Sequence, residues 1–155
     1  MAKKKTTKRM PEYVGWRSDL LTELALARIP GLKAYKLTDQ EPFDKLAVTD
    51  RGFCFFVMTR GFSSMASGIK NSDSLEELKC RCEPAMLSRA HQNRSPVVLF
   101  YFDADTDHGR YLRLDTLPDR DITELRFPLE NTITKASVQK LIREMQAVPT
   151  TSRAS

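Results

Sequence analysis

The sequence predicts an α+β fold, with a mixed β-sheet flanked by helices in the order αβββαββ(β)α. Apolar residues recur at helical spacing near both ends of the 155-residue chain, and short β-type segments lie between them. A third helical pattern separates the early strands from a later apolar strand. Hairpin strands should be antiparallel, and a crossover helix should return the chain to a parallel strand. The length fits one domain with its own core, predicted over residues 13–148.

The first helix is predicted over residues 16–29. Ser18 or Asp19 near its start suits the positive end of the helix dipole, and Pro30-Gly31 should end it. Its apolar residues recur at helical spacing, so they are predicted to form the face that packs on the sheet. They are Leu20, Leu21, Leu24, Ala25 and Ala27.

Three strands are predicted next, at residues 32–38, 44–49 and 53–59. The first two alternate between apolar and polar residues, and Asp50-Arg51-Gly52 is a hairpin signal before the third. The third strand is apolar almost throughout, which is typical of a strand buried on both faces.

A loop is predicted at residues 61–72, followed by a second helix. Asp73 and Ser74 are alternative N-caps, and Ser74 with Glu77 forms a capping box. Pro84 should kink this helix or divide it. The helical face consists of Leu75, Leu78, Cys82, Met86 and Leu87.

The second half of the sheet begins with a core strand at residues 97–102. An acidic turn, Asp103–Gly109, is predicted to join it to a half-exposed strand at 110–115. Asp103, Asp105 and Asp107 are spaced like the start of a calcium loop, but the later glycine and glutamate are missing, so a hairpin turn is preferred. A short strand within 122–129 and a last helix capped by Thr134 complete the domain. The apolar face of that helix is Val138, Leu141, Ile142 and Met145.

Composition indicates a soluble cytoplasmic protein without a membrane span or a secretory signal. Hydrophobic residues make up 41% of the chain and charged residues 29%. The three cysteines, Cys54, Cys80 and Cys82, are odd in number and are predicted to be reduced thiols. His91 is predicted to lie at a solvated helix end.

The whole formal charge of +5 is accounted for by the first nine residues, which are predicted to belong to a disordered tail over residues 1–12. A second disordered tail is predicted at 149–155. Basic side chains bind phosphate backbones without sequence selectivity, so DNA or RNA is one predicted partner. The alternative is a solvated arm and an ordinary charged helix face. The candidate nucleic-acid-binding residues are Lys3, Lys4, Lys5, Lys8 and Arg9 in the tail, with Arg89 and Arg94.

Over residues 16–117, the order helix, three strands, helix, strand resembles the restriction-endonuclease-like, PD-(D/E)XK nuclease superfamily. An Asp at the second strand and a late Pro-Val-Val-Leu-Phe strand are similar to small bacterial members of uncharacterised function. The resemblance implies a Glu on the first helix, an Asp on the second strand and a Glu/Gln-x-Lys pair on the third, arranged around Mg²⁺. Glu23 matches the helix acid, and Asp44 matches the strand acid and metal ligand.

The third strand departs from that pattern. Residues two apart face the same way, and the candidate pairs are Phe56/Met58, Val57/Thr59 and Met58/Arg60. None contains a carboxylate or an amide, and Arg60 alone supplies a cation. The predicted catalytic set is therefore degenerate: Glu23, Asp44 and Arg60. In the alternative interpretation Glu23 is a helix-surface acid near Arg17 or Lys33, Asp44 starts a strand and Arg60 ends one.

Three functional hypotheses follow. The first is a non-catalytic nuclease-like domain that binds nucleic acid or a partner protein, without a cofactor. The second is a Mg²⁺-dependent nuclease whose third ligand has migrated to Glu76 or Glu77. The third is an immunity-type or subunit protein that acts only through protein contacts, with Phe62, Met65 and Ile69 as its apolar surface.

Overall fold

The computed structural model describes residues 10–118 and 122–147. Within these ranges the α-helices are α1 Glu12–Ala27, α2 Ser64–Ser67, α3 Pro84–Gln92 and α4 Lys135–Ala147. The strands are β1 Leu32–Lys36, β2 Lys45–Thr49, β3 Cys54–Phe62, β4 Glu77–Arg81, β5 Val97–Asp103, β6 Gly109–Arg113 and β7 Glu124–Pro128, and Leu129–Asn131 is a 3-10 turn. The tail predicted at 149–155 and the first nine residues of the N-terminal tail lie outside the described residues.

The main sheet has five strands in the order β1-β2-β3-β5-β6. The first three strands form an antiparallel meander. β5 then pairs with β3 in parallel, with Phe56 opposite Val97, and β6 turns back antiparallel to β5. β4 and β7 form a separate two-stranded antiparallel sheet. The predicted α+β class and mixed sheet are thus confirmed.

β5 is the strand that is buried on both faces, since all seven of its residues are buried. Phe100 packs on the side of α1 and α4, and Leu99 packs on the opposite side. The sequence predicts the same burial on both faces for β3, and this prediction is only partly correct. Cys54 and Phe56 stay partly exposed, and the Phe56 ring packs against the loop residue Phe43 at a ring-centroid distance of 4.8 Å.

The prediction of a helix starting at Ser74 is wrong. Residues Glu77–Arg81 form strand β4, in which Leu78 is buried between exposed neighbours. Leu78 and Cys82 are four residues apart, a spacing that fits a helical face as well as alternate positions of an extended chain. The helix begins instead at Pro84, where the missing N–H is tolerated because the first turn has no partner for it.

Helix α1 packs on the sheet through a different face from the one predicted. Its buried residues are Val14, Ser18, Thr22 and Leu26. The predicted face is only partly buried at Leu21 and Ala25, whereas Leu20 and Leu24 are 47% and 45% exposed. Trp16, one turn before Leu20, is 60% exposed. The helix therefore turns two small polar residues inward and an apolar row outward.

A close approach of α1 to β3 explains this inversion. A Cβ atom on Gly61 would lie 1.9 Å from Ser18 Oγ, so a larger residue does not fit at either position. The buried hydroxyls are satisfied locally: Ser18 Oγ donates to Val14 O at 2.6 Å, and Thr22 Oγ1 lies 2.9 Å from Thr59 Oγ1. Hydrogen-bonded hydroxyls can be buried at little cost.

The predicted acidic turn joins β5 and β6 as an antiparallel hairpin, and it also organises the neighbouring loops. Asp103 is 1% exposed and accepts hydrogen bonds from the Ser64 and Asp105 backbone N–H groups and the Ser72 and Thr106 hydroxyls. Burial disfavours the ionised carboxylate, but these hydrogen bonds outweigh burial and lower the pKa of Asp103. The Asp103 carboxylate therefore holds the backbone of the neighbouring loop and turn in place.

The same turn fastens α1. Tyr13 donates to Asp105 Oδ1 at 2.5 Å, and Arg17 Nε lies 2.7 Å from Asp107 Oδ1. The pKa of Asp105 is lowered by hydrogen bonds from the Ser63 hydroxyl, Tyr13 and the Met65 N–H. These contacts fix the rotation of α1 about its axis.

The predicted last helix is confirmed as α4. Thr134 Oγ1 accepts from the Ser137 N–H at 3.1 Å, and the predicted apolar face is buried. The three cysteines are free thiols, as predicted. His91 lies near the end of α3, as predicted, but it is only partly exposed, and its Nε2 is buried without a hydrogen-bond partner among the described residues. None of the helices in the described part of the chain is long and apolar enough to cross a membrane.

Candidate functional site

The predicted catalytic residues, Glu23, Asp44 and Arg60, lie where α1 crosses the start of β2 and the end of β3. A cavity of about 340 Å³ opens there. Asp19 of α1, Asp44 before β2 and Thr59 of β3 line it, together with residues of the β1–β2 loop, including Asp39 and Glu41. The cavity wall is therefore rich in carboxylates.

A buried lysine beside these carboxylates was not predicted. Lys45 is 1% exposed, and its Nζ lies 3.0 Å from Asp19 Oδ1 and 3.3 Å from Glu23 Oε1. The two acids are four residues apart on α1 and so share one side of the helix. One feature of the sequence bears on this burial. Lys45 and Ala47 are two residues apart and so share one face of β2, and Ala47 is also buried.

Asp44 and Arg60 meet as a separate pair. Asp44 Oδ2 accepts a hydrogen bond from the Thr59 backbone N–H at 2.7 Å and lies 3.6 Å from Arg60 Nη1. Arg60 Nη1 also donates to the Thr59 carbonyl oxygen at 2.8 Å. The structure thus brings Asp44 and Arg60 together, and it places Glu23 with Lys45 rather than with Arg17 or Lys33.

The carboxylates of this site are already paired within the chain. Mg²⁺ requires near-octahedral oxygen coordination, usually through one or two carboxylates together with several waters. Here Lys45 lies between two of the acids, and Asp44 is held by a backbone N–H and by Arg60. In the described ranges, no group of three or more His, Cys, Asp or Glu residues has the geometry to hold a metal ion.

The predicted migration of a third ligand to the second helix is wrong. Glu77 lies in β4, where its Oε2 is 3.9 Å from Arg126 Nη1. Glu76 immediately precedes β4, and its carbonyl oxygen accepts the Leu129 N–H. Neither residue lines the cavity beside Asp44, because the segment predicted to be helical belongs to the second sheet.

The candidate nucleic-acid-binding residues do not form one surface within the part of the chain that the structure describes. Lys3, Lys4, Lys5, Lys8 and Arg9 lie outside the described residues. Arg89 lies in α3 and Arg94 in the loop after it, and both are exposed. Binding to DNA or RNA stays a prediction.

An apolar row on α1 is the second candidate site. Trp16, Leu20 and Leu24 follow one another at intervals of four residues, and each is at least 45% exposed. Ala27, which is also exposed, extends the row by one turn. Consecutive members lie close together on the helix surface, so the row is continuous along most of α1.

The apolar surface predicted at Phe62, Met65 and Ile69, at the end of β3 and in the loop after it, is wrong in two of its three residues. Phe62 is 3% exposed, and Ile69 packs against the core. Met65 is 82% exposed, but Phe62 and Ile69 do not form an exposed surface with it. The loop folds back because Ser64 and Ser72 bind the buried Asp103 carboxylate.

No protein-family model matches the chain, and no curated protein is similar enough to count as a match.

Proposed function

We propose that this chain is a non-catalytic domain of nuclease-like topology, and that it acts by binding a partner protein through the exposed face of α1. The observation behind this proposal is the inverted packing of α1, which buries Ser18 and Thr22 and exposes Trp16, Leu20 and Leu24. Isolated exposed apolar residues are ordinary, but a continuous row of them marks a contact surface. Tryptophan is among the residues most enriched where binding energy concentrates.

The order of elements from α1 to β5 supports the nuclease-like part of the proposal, and the charges support the non-catalytic part. The third strand has no Glu/Gln-x-Lys pair. Lys45 already pairs with Asp19 and Glu23 from within the protein. A divalent cation would have to compete with this buried ammonium for the Asp19 and Glu23 carboxylates, which disfavours metal binding.

A photo-crosslinking amino acid at position 20 tests the contact surface. Leu20→benzoylphenylalanine, expressed in cells of the source organism, should give a crosslinked adduct of discrete mass, because the partner covers this face. The matched control is Lys140→benzoylphenylalanine on α4, where the lysine side chain is 70% exposed. No adduct at position 20, or equal adducts at both positions, would contradict the proposal.

A Mg²⁺-dependent nuclease is the second candidate, and one observation favours it. Asp19 and Asp44 line the same cavity, and Asp19 also contacts Lys45. Incubation of the purified chain with DNA or RNA and Mg²⁺ or Mn²⁺ decides between the two. We expect no cleavage, since the acids are paired to internal cations. Cleavage that disappears in Asp44→Ala would instead establish the nuclease and contradict the non-catalytic assignment.

A further inference from the structure

Helix α1 contains an 11-residue pattern that its packing on the sheet does not require. Glu12 and Glu23 are 11 residues apart, as are Arg17 and Arg28 at the helix end. The exposed row has the same period, from Trp16 to Ala27. Eleven residues are close to three helical turns, so equivalent residues lie in line along the helix.

The pattern gives the exposed face two flanks of opposite charge. At about 100° per residue, Glu12 and Glu23 lie on one side of the row centred on Leu20, and Arg17 and Arg28 lie on the other. The contacts of α1 show the same two sides. Glu23 reaches Lys45 on β2, whereas Arg17 reaches Asp107 beyond β5, and these strands lie on opposite sides of β3.

We infer that the partner on this face is a second copy of the chain, bound with the two α1 helices side by side and pointing in the same direction. This inference rests on the proposed function. A two-fold axis parallel to the helices places the acidic flank of each copy against the basic flank of the other. An antiparallel pair would place like charges together, which is unfavourable. Charge thus makes the face complementary to itself.

The parallel arrangement pairs specific residues. Glu12 faces Arg17 of the second copy, and Glu23 faces Arg28 of the second copy, each with an offset of five residues, as flanking charges do in parallel coiled coils. Arg17 and Glu23 also have partners within their own chain, but their side chains remain 40% and 51% exposed. The apolar rows meet between these pairs, with Trp16, Leu20 and Leu24 from each copy.

A contact made by one helix per copy lies at the low end of interface sizes, so we expect a dissociation constant on the order of 10–100 μM. Sedimentation velocity of the full chain across that range should show a monomer–dimer equilibrium. Leu20→Glu should weaken it at least tenfold, whereas Lys140→Glu should not change it. Leu20 is half exposed, so the variant should keep its fold, which circular dichroism checks.

Two further measurements test the orientation. Raising the salt concentration should weaken the dimer, because it screens the flanking pairs. Oxidation of Ala27→Cys should produce a covalent dimer, since the parallel arrangement brings the two Ala27 positions together, and adding Leu20→Glu should prevent it. The wild-type chain with its own cysteines is the control. Association that strengthens with salt, or no covalent dimer, would overturn the parallel arrangement.

The outcomes separate this inference from the proposed function. A wild-type chain that stays monomeric throughout, or a dimer insensitive to Leu20→Glu, overturns self-association. If position 20 still crosslinks to a different protein in cells, the proposed function stands with another partner. If position 20 gives no adduct at all, the proposed function fails as well.

Discussion

Gly61→Ala is expected to destabilise the protein by about 3 kcal/mol, at the upper end of what overpacking usually costs. The new Cβ would lie 1.9 Å from Ser18 Oγ, 2.9 Å from Ser18 Cβ and 3.0 Å from Val14 Cγ1. Because Ser18 and Val14 belong to the buried face of α1, relief requires the whole helix to move away from β3. That movement also breaks the Thr22–Thr59 hydrogen bond. Urea unfolding measures the loss.

Two variants separate this clash from the general effect of a glycine replacement. Gly15→Ala is the matched control: its Cβ meets nothing within 4 Å, and alanine in a helix should stabilise by roughly 0.5–1 kcal/mol. Ser18→Gly removes the nearest atoms, so the double variant Ser18→Gly/Gly61→Ala should be more stable than the sum of the single effects predicts. Full stability of Gly61→Ala would show that α1 does not pack as closely as described.

Asp103→Ala is expected to cost about 3–4 kcal/mol of stability, because it leaves several donors without an acceptor in a buried place. The carboxylate accepts from Ser64 N and Asp105 N, each at 3.1 Å, and from the Ser72 and Thr106 hydroxyls at 2.5 and 3.0 Å. Loss of these bonds should release the loop after β3 and the β5–β6 turn together. Thermal unfolding and hydrogen exchange of the Ser64 and Asp105 amides measure the effect.

The pH dependence gives a second readout for the same carboxylate. The pKa of Asp103 is lowered in the folded protein from its ordinary value of 3.8, so its ionised form stabilises the fold above that value. This contribution is lost as the pH falls through the folded pKa. We expect wild-type stability to drop progressively as the pH falls from about 5 through the lowered pKa of the folded protein. Asp103→Asn keeps the shape but does not titrate, so its stability should fall less steeply. Parallel slopes would contradict this role.

The order of elements was predictable where local signals are strong. Asp50-Arg51-Gly52 marks the turn between β2 and β3, and the uninterrupted apolar run of β5 marks its burial. β4 was not predictable in this way, because Leu78 and Cys82 fit two periodicities. Its strand conformation depends on pairing with β7, which lies far along the chain.

The candidate site was predictable in part. Asp44 and Arg60 do lie together, but the burial of Lys45 depends on two acids supplied by α1, a pairing that no local pattern shows. The inward turn of Ser18 and Thr22 likewise depends on Gly61 and Thr59 across the interface. A prediction from hydrophobicity alone therefore gave the wrong buried face for α1.

The contacts between α1 and the β5–β6 turn also affect the order in which the chain folds. Arg17 and Asp107 are 90 residues apart in sequence, and Tyr13 and Asp105 are 92 apart. The antiparallel β1–β3 meander can form from nearby residues, whereas α1 cannot be locked in place until β5 and its turn have been added. Such non-local contacts carry a loop-closure cost and form slowly. During synthesis the helix leaves the ribosome before β5 does, and its apolar row is accessible before its polar face has packed on the sheet.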